Sequence, residues 1–139
     1  MGGGAEMTLD ETQERSLIAA AFAAAEQAYA PYSDYPVGAA LLFADGAVVT
    51  GCNVENATYG AACCAERTAV FSAVTAGHVS FRAIAVATGG AEAGTPCGIC
   101  RQVLAEFSDG ALEVLCFTDE GAEARYTLAE LLPHAFRLK

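Results

Sequence analysis

Only seven of the 139 residues are Lys or Arg, and they lie scattered as Arg15, Arg67, Arg82, Arg101, Arg125, Arg137 and Lys139, without a run or stripe. Binding to nucleic acid draws much of its affinity from clustered cations that meet phosphates, so no polynucleotide partner is expected. Seventeen Asp and Glu bring the net charge to −10, a balance that better suits a small, uncharged or weakly charged ligand. No apolar run approaches the roughly eighteen residues of a membrane span, and no membrane partner is expected. The leader Met1-Gly2-Gly3-Gly4 has neither the basic start nor the apolar stretch of a secretory signal. Residues 1–7 are therefore expected to form a flexible leader and 8–139 a single domain. Without an export signal the expected setting is the reducing cytoplasm. There the six cysteines read as ligands or core filler rather than as a disulfide frame. Histidine is scarce too. His78 and His134 sit beside turn signals and are expected to face solvent; neither has the H-x-E context of a metal ligand.

Apolar residues are plentiful. Counting Ala, Val, Ile, Leu, Met, Phe, Trp, Cys and Gly, they make up about 60% of the chain, against a typical 45–50%. That exceeds what one small core needs, and burial between subunits of a homo-oligomer is the expected destination. A helix capped by Thr8 or Asp10 is predicted to run to about Tyr29, with Leu17, Ile18, Ala21, Phe22 and Ala25 on one face. Val37–Phe43 and Ala47–Gly51 read as strands joined by a tight Asp45-Gly46 turn. Residues 53–62 read as a loop, followed by a helix from about Cys64 to Ala76 that Gly77 stops. Phe81–Thr88 reads as a strand, and a further helix begins near Pro96-Cys97, with the proline in its first turn. Ala111–Thr118 and a short Arg125–Thr127 complete the strands, and Thr127-Leu128-Ala129-Glu130 reads as a capping box before a brief helix ending at Pro133. The expected fold is α/β, a mixed five-stranded sheet sandwiched by helices.

Two short segments carry the chemistry: Cys64-Ala65-Glu66 and Pro96-Cys97-Gly98-Ile99-Cys100. Both fall at predicted helix starts, where unpaired N–H groups and the positive dipole end stabilise thiolates. Three thiolates can occupy three corners of a zinc tetrahedron and leave the fourth to water, whereas a structural site recruits a fourth side chain. Glu66 is spaced to handle that water's protons. Three thiolates and Zn²⁺ sum to −1, and Arg67 is placed to draw charge from the sulfurs. This is the C-x-E … P-C-x-x-C variant of the signature of zinc-dependent nucleobase deaminases. Cys63 adjoins Cys64 but lacks the C-x-E register; with Cys52 and Cys116 it reads as core filler. A redox C-x-x-C pair, and a structural zinc module used for binding, are the alternatives.

From about Arg15 to Phe136 the chain resembles the small, homotetrameric cytidine deaminase family. The resemblance rests on Ala30-Pro31-Tyr32-Ser33, on Val37-Gly38-Ala39-Ala40-Leu41 and on Gly51-Cys52-Asn53-Val54-Glu55-Asn56-Ala57. It continues through Cys64-Ala65-Glu66-Arg67-Thr68-Ala69, Pro96-Cys97-Gly98-Ile99-Cys100-Arg101-Gln102-Val103 and Leu131-Leu132-Pro133. It implies hydrolytic deamination of cytidine and 2′-deoxycytidine in pyrimidine salvage, with zinc-bound hydroxide attacking C4 and Glu66 shuttling protons. It also implies one Zn²⁺ per subunit on Cys64, Cys97 and Cys100, with Arg67 tuning its charge. Asn53 and Glu55 match a pair that holds the ribose hydroxyl, and Ala65 is counted among the substrate contacts. Tyr59 and Phe136 match aromatics that line a neighbouring subunit's pocket. Tyr35 stands where the family usually has phenylalanine against the base. A related small substrate, such as a nucleotide or a modified cytosine nucleoside, is the second enzymatic reading; the sparse arginines weaken the nucleotide.

Overall fold

A computed structural model describes residues 9–138; the expected leader at 1–7 and the Thr8 cap lie outside the described residues. The elements run α1 (Glu11–Ala25), β1 (Gly38–Phe43), β2 (Val48–Cys52), a 3₁₀ turn (Tyr59–Ala61), α2 (Ala65–Thr75), β3 (Phe81–Thr88), α3 (Gly98–Glu106), β4 (Glu113–Thr118), β5 (Glu123–Thr127) and α4 (Leu128–Leu131). The five strands form one sheet in the order β2-β1-β3-β4-β5. Only β3 and β4 pair in parallel; the other neighbours are antiparallel. The α3 crossover supplies the long connection that a parallel pair requires.

Alternation along the strands divides the core in two. Ala40, Leu42, Ala83, Ala85, Ala87 and Leu115 face Leu17 and Ala21 of α1. Ala39, Leu41, Ile84, Val86, Val114 and Cys116 face the opposite side, with Ala65, Ala69, Val70 and Ala73 of α2 and Leu104 of α3. Every residue of β1 is consequently buried, and its sequence reads as a continuous apolar run rather than an alternating one. Helices cover both faces, as the sequence predicts.

Four local expectations change. α1 ends at Ala25 rather than near Tyr29, because the N–H groups of Glu26, Gln27 and Ala28 turn to carbonyls three residues back. Tyr29 is then taken by another segment: its N–H donates to Asn53 and its carbonyl accepts from Glu55. The β1–β2 connection is a three-residue loop rather than a two-residue turn. Phe43 bonds both Gly46 and Ala47, and only Gly46 adopts positive φ, at 90°, the pattern of a turn followed by a bulge. Pro96 precedes the α3 cap, Cys97, instead of occupying the first turn. His78 is half-buried with its ring 4.8 Å from that of Phe43, whereas His134 is exposed as expected.

Candidate metal and nucleoside site

The beginning of β1 and the ends of β2 and β3 lie side by side, since Gly38 pairs with both Cys52 and Ala87. The starts of α2 and α3 converge on this edge. α2 sits hard against β2: a Cβ on Gly51 would fall 2.3 Å from the backbone nitrogen of Ala69. Thr68 Oγ1 fixes the contact by donating to the Cys52 carbonyl at 2.7 Å. Val54, the centre of the expected loop, is bridged to Tyr29 on one side and Cys63 on the other. This pinning delivers Cys64 to the α2 cap position.

Cys64 and Cys97 are the cap residues of α2 and α3, and Cys100 lies one turn into α3. Their sulfurs all lie within 4.8 Å of one another, with Cys64–Cys97 at 3.9 Å and Cys97–Cys100 at 3.5 Å. Cys63 is outside this cluster; its thiol is pushed up by burial. Arg67 Nη2 donates to Cys64 Sγ at 3.3 Å. Hydrogen bonding, first from Cys100 and then from Arg67 and Cys97, pulls the Cys64 thiol down to about 5. The Cys100 thiol is pushed up by its hydrogen bond to Cys64 and by burial. Soft thiols at two positive helix ends, braced by a guanidinium, fit a zinc ion. The described residues bring three such ligands together, leaving a fourth corner for an exogenous group.

Glu66 is only 5% exposed, and burial raises its carboxyl above the ordinary carboxylate range. It lines a cavity of about 270 Å³ together with Cys64, Cys97, Ala65, Tyr35, Asn53 and Glu55. A larger opening of about 510 Å³ at the other end of β3 contains none of the expected site residues. Asn53 ties the cavity mouth together: its Oδ1 accepts from Val37 N and its Nδ2 donates to the Tyr35 carbonyl, each at 2.9 Å. Glu55 accepts from the backbone of Tyr32 at 2.9 Å and of Ser33 at 3.1 Å, and from the Ser33 hydroxyl. That hydroxyl bond is the chief reason the Glu55 carboxyl titrates lower than usual.

Tyr59 and Phe136 do not line this cavity. Tyr59 is 87% exposed beside a separate depression that shares Asn53, Glu55 and Cys64 with the cavity, and Phe136 is 67% exposed. Cys116 is fully buried, but Cys52 and Cys63 are only half-buried, less core-like than the sequence implies.

Several cavity residues escaped the sequence reading: Ser33, Val37, Val86, Thr88, Gly94 and Thr95. So did the bracing role of Arg101. Its guanidinium donates to the carbonyls of Pro96 at 2.8 Å and Leu131 at 2.9 Å, and to Thr95 Oγ1 at 3.1 Å, holding the chain that enters Cys97. The signal available for it was position alone, one residue beyond the second cysteine of C-x-x-C.

Residues 11–116 match the family described as the cytidine and deoxycytidylate deaminase zinc-binding region. The chain belongs to this family. Among its relatives, the cytidine deaminase of Sporosarcina psychrophila is 51% identical over 120 residues, covering 86% of this chain and 88% of that protein. That of Halalkalibacterium halodurans is 48% identical over 120 residues, covering 86% and 91%. The crystal structure of cytidine deaminase from Burkholderia pseudomallei superposes with a TM-score of 0.84 at 51% identity, over 88% of this chain and 98% of that one. This family member therefore shares both the zinc-binding region and the whole cytidine deaminase fold.

Proposed function

We propose that the chain is a cytidine deaminase, a zinc-dependent hydrolase that converts cytidine and 2′-deoxycytidine to uridine and 2′-deoxyuridine. The observation that carries this reading is the convergence of Cys64, Cys97 and Cys100 beside a buried glutamate at the end of a nucleoside-sized cavity. Cys64, Cys97 and Cys100 would hold one zinc ion per subunit, and the chemistry it would supply is an activated water for attack at C4 of the pyrimidine.

The chain's own residues do the rest. Glu66 would take one proton from that water and pass it to N3, then take the second from the added hydroxyl and pass it to the departing amine, so one carboxylate serves as base and acid. Its burial favours the protonated form that the second half of this cycle needs. Arg67, through its bond to Cys64, withdraws charge from a thiolate set that would otherwise blunt the ion. Ala65 opens α2, so its N–H has no helical acceptor and is available to the base carbonyl. Asn53 and Glu55 spend most of their hydrogen-bonding capacity on the backbone of 32–37. Each keeps capacity for a ribose hydroxyl. Tyr35 packs against the base.

The same reading includes a homotetramer with shared pockets, a place in pyrimidine salvage and a cytoplasmic location. Exposed Tyr59 and Phe136 support the first, as do Phe71 and Val74 on the outer face of α2. Six unpaired cysteines suit a reducing compartment.

A nucleotide substrate is the competing reading, because the family's description names deoxycytidylate as well. None of the residues lining the cavity is Lys or Arg, which disfavours a phosphate there. The deciding test follows absorbance loss on incubation with cytidine, with deoxycytidine and with the monophosphate. Cytidine turnover exceeding that of the monophosphate is expected. Faster turnover of the monophosphate establishes the nucleotide enzyme, and zinc-loaded protein inert toward all three establishes a binding module.

A further inference from the structure

Two cavity residues that the sequence reading passed over, Thr88 and Gly94, meet Tyr35 on the wall formed by the end of β3 and the connection to α3. A Cβ on Gly94 would lie 3.6 Å from the Tyr35 hydroxyl and 3.9 Å from the Thr88 methyl. Both are ordinary van der Waals separations, and Gly94 is not among the glycines of positive φ. An alanine there is therefore accommodated, with its methyl between Tyr35 and Thr88. Thr88 is 6% exposed, and its hydroxyl is buried without a hydrogen-bond partner. The part of Thr88 that borders Gly94 is therefore its methyl.

The order of atoms in a pyrimidine determines what this wall meets. With C4 at the sulfur cluster and N3 toward Glu66 on α2, C5 is the other neighbour of C4 and points away from α2. Gly94 and Thr95, in the chain entering Cys97, line the cavity together with Thr88 and Tyr35, and Cys97 belongs to α3 rather than α2. We propose that Tyr35, Gly94 and Thr88 form the pocket for the C5 position and decide which C5-substituted cytosine nucleosides are accepted. This rests on the cytidine deaminase reading and adds a specificity element to it. The Tyr35 hydroxyl fills a corner that phenylalanine would leave open, and the bare Cα of Gly94 provides the space that remains.

The test compares kcat/KM for 5-methylcytidine and cytidine in the zinc-loaded wild type, Gly94→Ala and Tyr35→Phe. The ratio of the two values within each protein is independent of the fraction folded. One methyl group in an apolar pocket shifts discrimination by about 10–200-fold. Gly94→Ala is expected to lower the ratio of 5-methylcytidine to cytidine by at least about tenfold, and Tyr35→Phe is expected to raise it. Ratios unchanged in both variants, or moving in the same direction, overturn the proposal while cytidine turnover leaves the deaminase reading intact. A wild type that rejects 5-methylcytidine, with Tyr35→Phe rejecting it equally, also overturns it. Zinc-loaded wild type without cytidine turnover removes the underlying reading, and the proposal with it.

Discussion

Glu66 and Arg67 are adjacent in sequence yet serve different ends of the same site. Glu66 is buried in the cavity wall, while Arg67 reaches back to the cap sulfur of its own helix. Glu66→Gln keeps the shape and removes the proton carrier. It is expected to lower kcat by about 10²–10⁴-fold while metal analysis finds zinc retained; near-normal kcat contradicts the role. Arg67→Ala is expected to preserve the fold but lose activity or zinc. A variant with unchanged turnover and metal content refutes its charge-tuning function. These two residues and the thiols were legible in sequence because metal ligation imposes fixed spacing at helix starts. Thr88 and Gly94 were not, because a threonine ending an apolar strand and a glycine in a loop carry no pattern until the fold brings them to Tyr35.

At the scale of elements, local chemistry located the helices and tertiary contacts set their ends. The start of α1 is a capping box: Asp10 Oδ1 accepts from Gln13 N at 2.7 Å, and Gln13 Oε1 accepts from Asp10 N at 3.2 Å. Asp10→Ala is expected to lower unfolding stability by about 1 kcal/mol, read from the denaturant midpoint at constant slope. No change would mean that packing of Leu17 and Ala21 alone secures the helix. The far end of α1 was misread because alanine-rich sequence favours continuation through Tyr29, whereas bonding of Tyr29 to 53–55 ends it. The same bridges explain why 53–62 read as a featureless loop. Single-residue pairings have no period, yet they carry Asn53, Glu55 and Cys64 into the site. Gly51 shows the converse. Its absent side chain lets α2 approach β2, a requirement that becomes visible only once the two are packed.

For the whole molecule, α1 is clamped to the distant edge of the sheet by Glu14 and Arg125. Arg125 Nη2 donates to Glu14 Oε2 at 2.6 Å, and this hydrogen bonding holds the Glu14 carboxyl below its usual value. The folded state therefore binds fewer protons at Glu14 than the unfolded chain. The clamp's contribution is present above the unfolded carboxylate value and is lost as pH falls through the lowered folded one. Arg125 is 44% exposed at its side chain, so solvent screening keeps the effect at about 1 kcal/mol or less. Glu14→Gln is expected to narrow the gap between neutral and acid stability, measured as denaturant midpoints across pH. A wild-type gap left intact by the substitution shows that other carboxylates dominate.

The mixed five-stranded sheet and the helices over both faces follow from the alternation of strand- and helix-length apolar segments, whereas the strand order β2-β1-β3-β4-β5 carries no sequence signal of its own. The proposed subunit association would bring exposed aromatics such as Tyr59 and Phe136 against another copy, and light scattering reports it directly: a tetramer is expected, and a stable monomer contradicts shared pockets. The central claim, a catalytic zinc on Cys64, Cys97 and Cys100, is tested most directly by measuring cytidine deamination against zinc content during stepwise chelation and reconstitution. Activity rising in proportion to bound zinc, to one ion per chain, is the result this structure predicts; full activity in protein free of transition metal would contradict it.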